Sequence, residues 1–252
     1  MSTTGMRCVM AGIAVAALLL GGCASGVASD PSGPAVPVSV TPSTSADNGV
    51  AALEPAAILD RAKAALTEAK SFRLKGFVTA GGKATSVDLE ARGSDVRGTL
   101  TRNKTKLEVL TVGKNAYIRP DDAFWKANLG DASQAKIVSA LVKDRWVQVS
   151  PTDKNFAGLL GLTDVNKLLD TSGGWIKVLV TTVGAKRAVM IRQVDSARTT
   201  LFVAVEGPAY PLRLEGPTEA ASSLTFSDFG ESFADLKAPP ASKAVDWDEL
   251  FG

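Results

Sequence analysis

From Thr85 to Ile118 the chain alternates apolar and polar residues, and each alternating run is short and closes on a few turn-forming residues. In Thr85-Ser86-Val87-Asp88-Leu89-Glu90-Ala91-Arg92, the residues Val87, Leu89 and Ala91 fall on one face and Asp88, Glu90 and Arg92 on the other, because successive strand side chains take opposite sides. Gly93-Ser94-Asp95 turns the chain into Val96–Thr101, Arg102-Asn103-Lys104 turns it into Thr105–Val112, and Gly113-Lys114-Asn115 leads into Ala116-Tyr117-Ile118. Strands joined by so few residues run antiparallel, since a parallel return needs a crossover of about a dozen residues or more. The run predicts a meander with one buried face and argues against a doubly wound parallel sheet.

The same reading extends in both directions. Before the meander, Leu59, Ala62, Leu66 and Ala69 recur at helical spacing behind Pro55, a residue suited to a first helical position. After it, Trp146–Val149, Trp175–Thr182, Ala188–Val194, Thr200–Val205, Tyr210–Glu215 and Leu224–Phe229 read as strands. Between the two halves lies a short helical piece around Ala135–Val142. It precedes an apolar, glycine-interrupted segment, Phe156–Leu162 followed by Val165, Leu168 and Leu169. That segment reads equally as a flap over a cavity or as a plug in a filled core. The fold class expected is α+β, with about ten or eleven antiparallel strands and helices before and within them.

The N-terminus sets the compartment. An apolar run from Val9 to Leu20 leads into Leu20-Gly21-Gly22-Cys23, which resembles a bacterial lipobox, where cleavage precedes a diacylated cysteine. The run is short of the ~20 apolar residues of a membrane-spanning helix but suits a secretory signal. The alternative is an ordinary signal peptide cut near Ala28. The expected organisation is a signal peptide over 1–22, lipidated Cys23 with a Pro/Ser-rich tether over 23–53, a folded domain over 54–236 and a C-terminal tail over 237–252. The tether carries too little apolar surface to fold. In the tail, Val245, Trp247, Leu250 and Phe251 suit either docking or a loose end.

Composition narrows the chemistry. Histidine is absent, which removes Ser-His-Asp and Cys-His catalysis and most zinc or haem ligation. The only cysteines are Cys8, in the leader, and Cys23, so the mature domain is expected to have no disulfide. Net charge is +2, and loss of the leader's single charge, Arg7, leaves +1; no basic footprint for nucleic acid results. The glycines of Gly76–Ala84 have the wrong spacing for a phosphate loop, and Ala80-Gly81-Gly82-Lys83 reads as a hairpin turn. Asp121 and Asp122 sit side by side as turn residues, not as an acid–base pair. Neither an enzyme nor a metal or cofactor site is expected.

Four stretches together resemble the actinobacterial LolA-like lipoproteins, the group of LppX, LprA, LprF and LprG. They are the lipobox with its tether, the helix before Ser71-Phe72-Arg73-Leu74, the Val112–Ile118 stretch with Phe124-Trp125, and Thr225-Phe226-Ser227-Asp228-Phe229-Gly230-Glu231. The resemblance covers roughly Ala56 to Glu231. Lys143-Asp144-Arg145-Trp146 and the Trp247-containing tail fall outside its pattern. It implies a curved antiparallel half-barrel with helices on the concave face and a hydrophobic cavity for the acyl chains of a lipid or glycolipid. It also implies attachment to the extracytoplasmic face of the cell membrane through the lipid anchor, with a membrane transporter as a partner. Lining candidates taken from the inward alternation and the flap are Leu89, Val109, Leu159, Leu160, Leu162, Leu168, Val178 and Ile191. The competing expectation is an interaction or sensory lipoprotein with a solid core.

Overall fold

The computed structural model describes residues 46–251 apart from 81, 151–167, 170–172, 195–198, 217–221 and 234–235. All of these belong to one unit, Thr44–Gly252. Cys23, Leu159, Leu160 and Leu162 lie outside the described residues.

Twelve strands form one sheet: β1 (Ser71–Ala80), β2 (Lys83–Arg92), β3 (Asp95–Arg102), β4 (Thr105–Val112), β5 (Asn115–Pro120), β6 (Trp146–Val149), β7 (Trp175–Val183), β8 (Lys186–Gln193), β9 (Thr200–Ala204), β10 (Pro211–Glu215), β11 (Ser222–Ser227) and β12 (Ala244–Asp246). Their order is β12-β6-β5-β4-β3-β2-β1-β11-β10-β9-β8-β7. Strand β1 is thus the seam, with one meander running outward to β6 and the other returning from β7 to β11. The sheet is open, and every pairing is antiparallel except β12 on β6. The sequence predicts ten or eleven strands; the twelfth is β12, whose three residues are too few to show an alternation. Ala80 pairs with Lys83 where β1 meets β2.

Helix α1 (Pro55–Ala69) opens with Pro55 and ends where Lys70 takes a left-handed φ of 65°. Its buried face is Ile58, Leu59, Ala62, Ala65 and Leu66, which packs toward β1, β7 and β10. Helices α2 (Asp122–Asn128) and α3 (Ala132–Leu141) pack on each other and, through α2, on β4 and β5. The sequence places only α3; α2 exists because Asp121 caps it, its carboxylate accepting from the Phe124 N–H at 2.7 Å.

A flat sheet of twelve strands would be about 50 Å across. Yet one apolar cluster takes in Ile118 and Val147 near one edge, Val189 and Leu201 near the other, and Leu59 of α1. Helix α1 lies under this face, reaching both the central strand β1 and the edge strand β7. Two glycines permit the close strand approach. A Cβ on Gly76 would stand 2.0 Å from the Ser223 carbonyl oxygen, and one on Gly98 2.1 Å from that of Asp88. The outer face carries two smaller clusters, one around Leu110, Tyr117, Trp146 and Leu236 and one around Ala188, Phe202, Ala204 and Leu212.

Both ends of the domain extend beyond the sequence-derived bounds. Residues 46–53, read as the end of the tether, hold on to the sheet. The Asn48 amide donates to the carbonyls of Ala204 at 3.0 Å and Gly207 at 2.8 Å, and Val50 is buried. The tail docks. It runs over the outer face, adds β12 at the edge, and places Trp247 of α4 (Trp247–Phe251) against the inner cluster.

Candidate functional site

The inner face of the sheet is where the alternation of the meander leads. The registers place Phe226, Leu74, Leu89, Gly98, Val109, Ile118 and Val147 in one row across seven strands. Gly98 interrupts the row, and the space above it is taken by Leu89, whose Cδ2 lies 2.8 Å from where a Cβ would stand. Leu89, Val109 and Ile191 are all fully buried in the one large cluster, and Leu168 packs half-buried against it. These four of the lining candidates therefore meet on the inner side.

Val178 does not join them. It is 38% exposed on the edge strand β7, at a bulge where the register to β8 slips between Lys177 and Leu179. A bulge reverses the phase of alternation, so inward positions on β7 are those paired with Ile191 and Val189, namely Lys177 and Val180. Lys177 spends its charge locally. Its ammonium donates to the carbonyls of Ala51 at 3.0 Å and Leu53 at 3.1 Å, tying the edge strand to the lead-in of α1. Three further apolar residues of β7, Ile176, Leu179 and Val180, are exposed, as are Ile137 and Leu141 of α3 at 61% and 51%.

Helices α2 and α3 and the end of β5 enclose an open pocket of about 750 Å³. Its floor is apolar through Trp125, Ala135 and Val142, and its rim mixes Lys126, Lys136 and Lys143 with Asp121, Asp122 and Asp144. The two adjacent carboxylates have structural employment. Asp121 caps α2 and also accepts from the Lys106 N–H at 2.8 Å. Asp122 accepts from the Ser139 hydroxyl and so joins α2 to α3.

A second pocket, of about 480 Å³, lies on the outer face. Arg119 is central to it. Its guanidinium is paired with Glu108 and lies over the Trp146 indole, 4.7 Å from the ring centroid. Burial alone pushes the Glu108 carboxyl up, but Arg119 and Lys106 outweigh it and hold the carboxyl below its ordinary value. Lys237 and Lys243 of the C-terminal segment complete the wall. Local spacing gives no sign of this pocket, since its residues lie up to 146 positions apart, from Arg97 to Lys243. Only the strand register and the docking of the tail bring them together.

Among the described residues no group of three Cys, Asp or Glu is placed to hold a metal ion, and no helix is long and apolar enough to cross a membrane.

The fold and its sites define an α+β domain built on one large open antiparallel sheet, with helices on its inner face. No protein-family model and no curated protein matches the chain. Among solved structures it is similar to an uncharacterized conserved protein from Thermus thermophilus, with a TM-score of 0.41 and 11% identity over 76% of this chain and 98% of that one. It is also similar to MucB in the MucA/MucB complex of Pseudomonas aeruginosa, with a TM-score of 0.36 and 16% identity over 73% of this chain and 61% of that one. MucB solved alone gives a TM-score of 0.32 and 15% identity over 73% of this chain and 62% of that one.

Proposed function

We propose that this chain is a non-catalytic lipoprotein, anchored through Cys23 on the extracytoplasmic face of the cell membrane. Its open sheet takes up the acyl chains of a lipid or glycolipid and passes them to another component of the envelope, such as a membrane transporter. The reading follows the resemblance to LolA-like lipoproteins. The observation that carries it is the pairing of a continuous apolar inner face with exposed apolar side chains on α3 and on the edge strand β7. An apolar rim beside an open sheet is the arrangement a hydrocarbon chain needs to enter without crossing water.

Magnitudes make such a carrier useful. Each methylene moved from hydrocarbon into water costs ~0.8 kcal/mol, so a long acyl chain costs on the order of 10 kcal/mol to extract unaided. A dry groove offsets most of that cost while the headgroup stays wet. An anchor of two or three acyl chains keeps the carrier beside its source, where one alone holds only marginally.

A second reading, an interaction lipoprotein with a filled core, is favoured by one specific observation: Leu89, Val109 and Ile191 are buried to completion among their neighbours. Native mass spectrometry of the full chain after gentle detergent extraction separates the two. A carrier retains a co-purifying lipid and takes up a fluorescent fatty acid. A chain that does neither is not a carrier, and the filled-core reading stands.

A further inference from the structure

The outer-face pocket faces away from the side on which acyl chains would be held, and nothing in the carrier reading uses it. Its floor follows from register. Arg97 pairs with Leu110 and Leu110 with Tyr117, which sets Arg97 on the face that also carries Arg119 and Trp146. Its wall is the segment from Lys237 to Lys243, held at both ends. On the near side the Arg92 guanidinium donates to the Leu236 carbonyl at 2.5 Å and the Phe233 carbonyl at 3.3 Å. On the far side Ala244 pairs with Trp146 in β12.

Charge converges here. Arg97, Arg119, Lys237 and Lys243 line the pocket, and among the described residues the one acidic residue lining it is Asp144. Arg119 is already oriented by Glu108 and Trp146, so it presents its remaining donors at little further entropic cost. The Lys237 and Lys243 ammonium groups make no hydrogen bond or ion pair with a described residue, which leaves six ammonium protons for a ligand. The Arg119 fork with two ammonium groups on the wall of a concave site offers donors from several directions, which suits a tetrahedral oxyanion, and Arg97 adds positive charge to the floor. The remaining lining, Leu110, Ala238, Pro239 and Pro240, is apolar and suits the carbon skeleton of an ester.

We propose that Arg97, Arg119, Lys237 and Lys243 form a binding site for a phosphate ester, its wall supplied by the docked C-terminal segment. The chemistry is shared by a phospholipid headgroup and by a free organic phosphate. The site does not rest on the carrier reading, since it takes no acyl chain.

Isothermal titration of the full chain in a non-ionic detergent tests it with three probes: inorganic phosphate, glycerol 1-phosphate and glycerophosphoglycerol, the deacylated headgroup of phosphatidylglycerol. Binding of at least one phosphate ester is expected, with affinity falling at least tenfold in the Lys237→Ala/Lys243→Ala variant and restored by Lys237→Arg/Lys243→Arg. It should also fall as ionic strength rises. Tighter binding of glycerophosphoglycerol than of glycerol 1-phosphate assigns the headgroup source; the reverse assigns a free phosphate. Both lysines are exposed, so the alanine variant should keep its unfolding midpoint, which separates loss of site from loss of fold. No heat with any probe, or binding that the alanine variant leaves unchanged, overturns the proposal.

Discussion

The indole of Trp247 lies 6.3 Å from that of Trp125, centroid to centroid, and 18° from parallel. One ring comes from the last helix and the other from α2, where it is buried beneath the sheet. The pair closes a clasp, because the chain before Trp247 crosses the outer face and rounds the β6 edge as β12. Trp247→Ala should lower stability by about 2 kcal/mol, less than the 3–5 kcal/mol of a fully buried indole because Trp247 is half-buried. Urea unfolding checks this as an earlier midpoint at unchanged slope. A midpoint identical to the wild type would mean the clasp contributes nothing. If the chain is a carrier, uptake of a fluorescent fatty acid should survive the substitution.

Gly98 and Gly113 predict costs of different size for the same change. A methyl group on Gly98 would meet the Asp88 carbonyl oxygen at 2.1 Å and the Leu89 Cα at 2.7 Å, both immovable backbone. Gly98→Ala should cost about 3 kcal/mol, which for a chain of this size is a fall of roughly 6–12 °C in Tm. Gly113 has no atom within 4 Å of its missing Cβ and needs alanine only to bear a φ of +59°. Gly113→Ala should cost about 1 kcal/mol. Thermal unfolding of the two variants side by side checks the order.

How much of this was legible in the sequence varies by element, for physical reasons. The meander was legible because each strand pairs with its sequence neighbour and its faces differ in polarity. Leu89 and Val109 were placed on the inner face for that reason. Val178 was misplaced because the bulge at Lys177–Leu179 shifts the phase, and no residue type announces it. Helix α2 carries its cap signal in Asp121, overshadowed by the aromatic pair that follows. β12 is three residues long and pairs in parallel with Trp146–Gln148, about a hundred positions away, so no local pattern reveals it. The outer-face pocket depends on that same distant pairing and was illegible with it.

The Arg73–Asp88 pair gives a pH dependence. Arg73 Nε donates to Asp88 Oδ1 at 2.7 Å and its Nη2 to Oδ2 at 2.9 Å, across the β1–β2 register. The hydrogen bond from Arg73 is the chief reason the Asp88 carboxyl is held below its ordinary value. A carboxyl depressed in the folded state contributes stability above its unfolded pKa and loses it as pH falls through the folded one. The contribution should therefore be full at pH 7 and fade below about pH 4. Asp88→Asn should cost about 0.5–1 kcal/mol at pH 7, the pair being a third exposed. The gap between the urea midpoints of the two proteins should narrow as pH is lowered from 7 to 3; a constant gap would assign the loss to packing.

Strand β7 ends the sheet with Ile176, Leu179 and Val180 exposed, and an apolar edge strand is a template for pairing with another chain. The bulge after Lys177 and the capture of its ammonium by Ala51 and Leu53 kink the edge, but they leave these three side chains in water. Leu179→Lys adds a charge where the side chain is already solvated and beside Met190 on the outer face. It should change unfolding free energy by less than about 0.5 kcal/mol. Self-association should fall, read by sedimentation velocity across a concentration series. The same substitution separates two uses of the edge. If hydrocarbon enters over the inner side of β7, Val180→Lys should slow fatty-acid uptake while Leu179→Lys does not, because Val180 pairs with inward-facing Val189 and Leu179 with outward-facing Met190. Equal slowing by both would place entry elsewhere than across the inner edge of this strand.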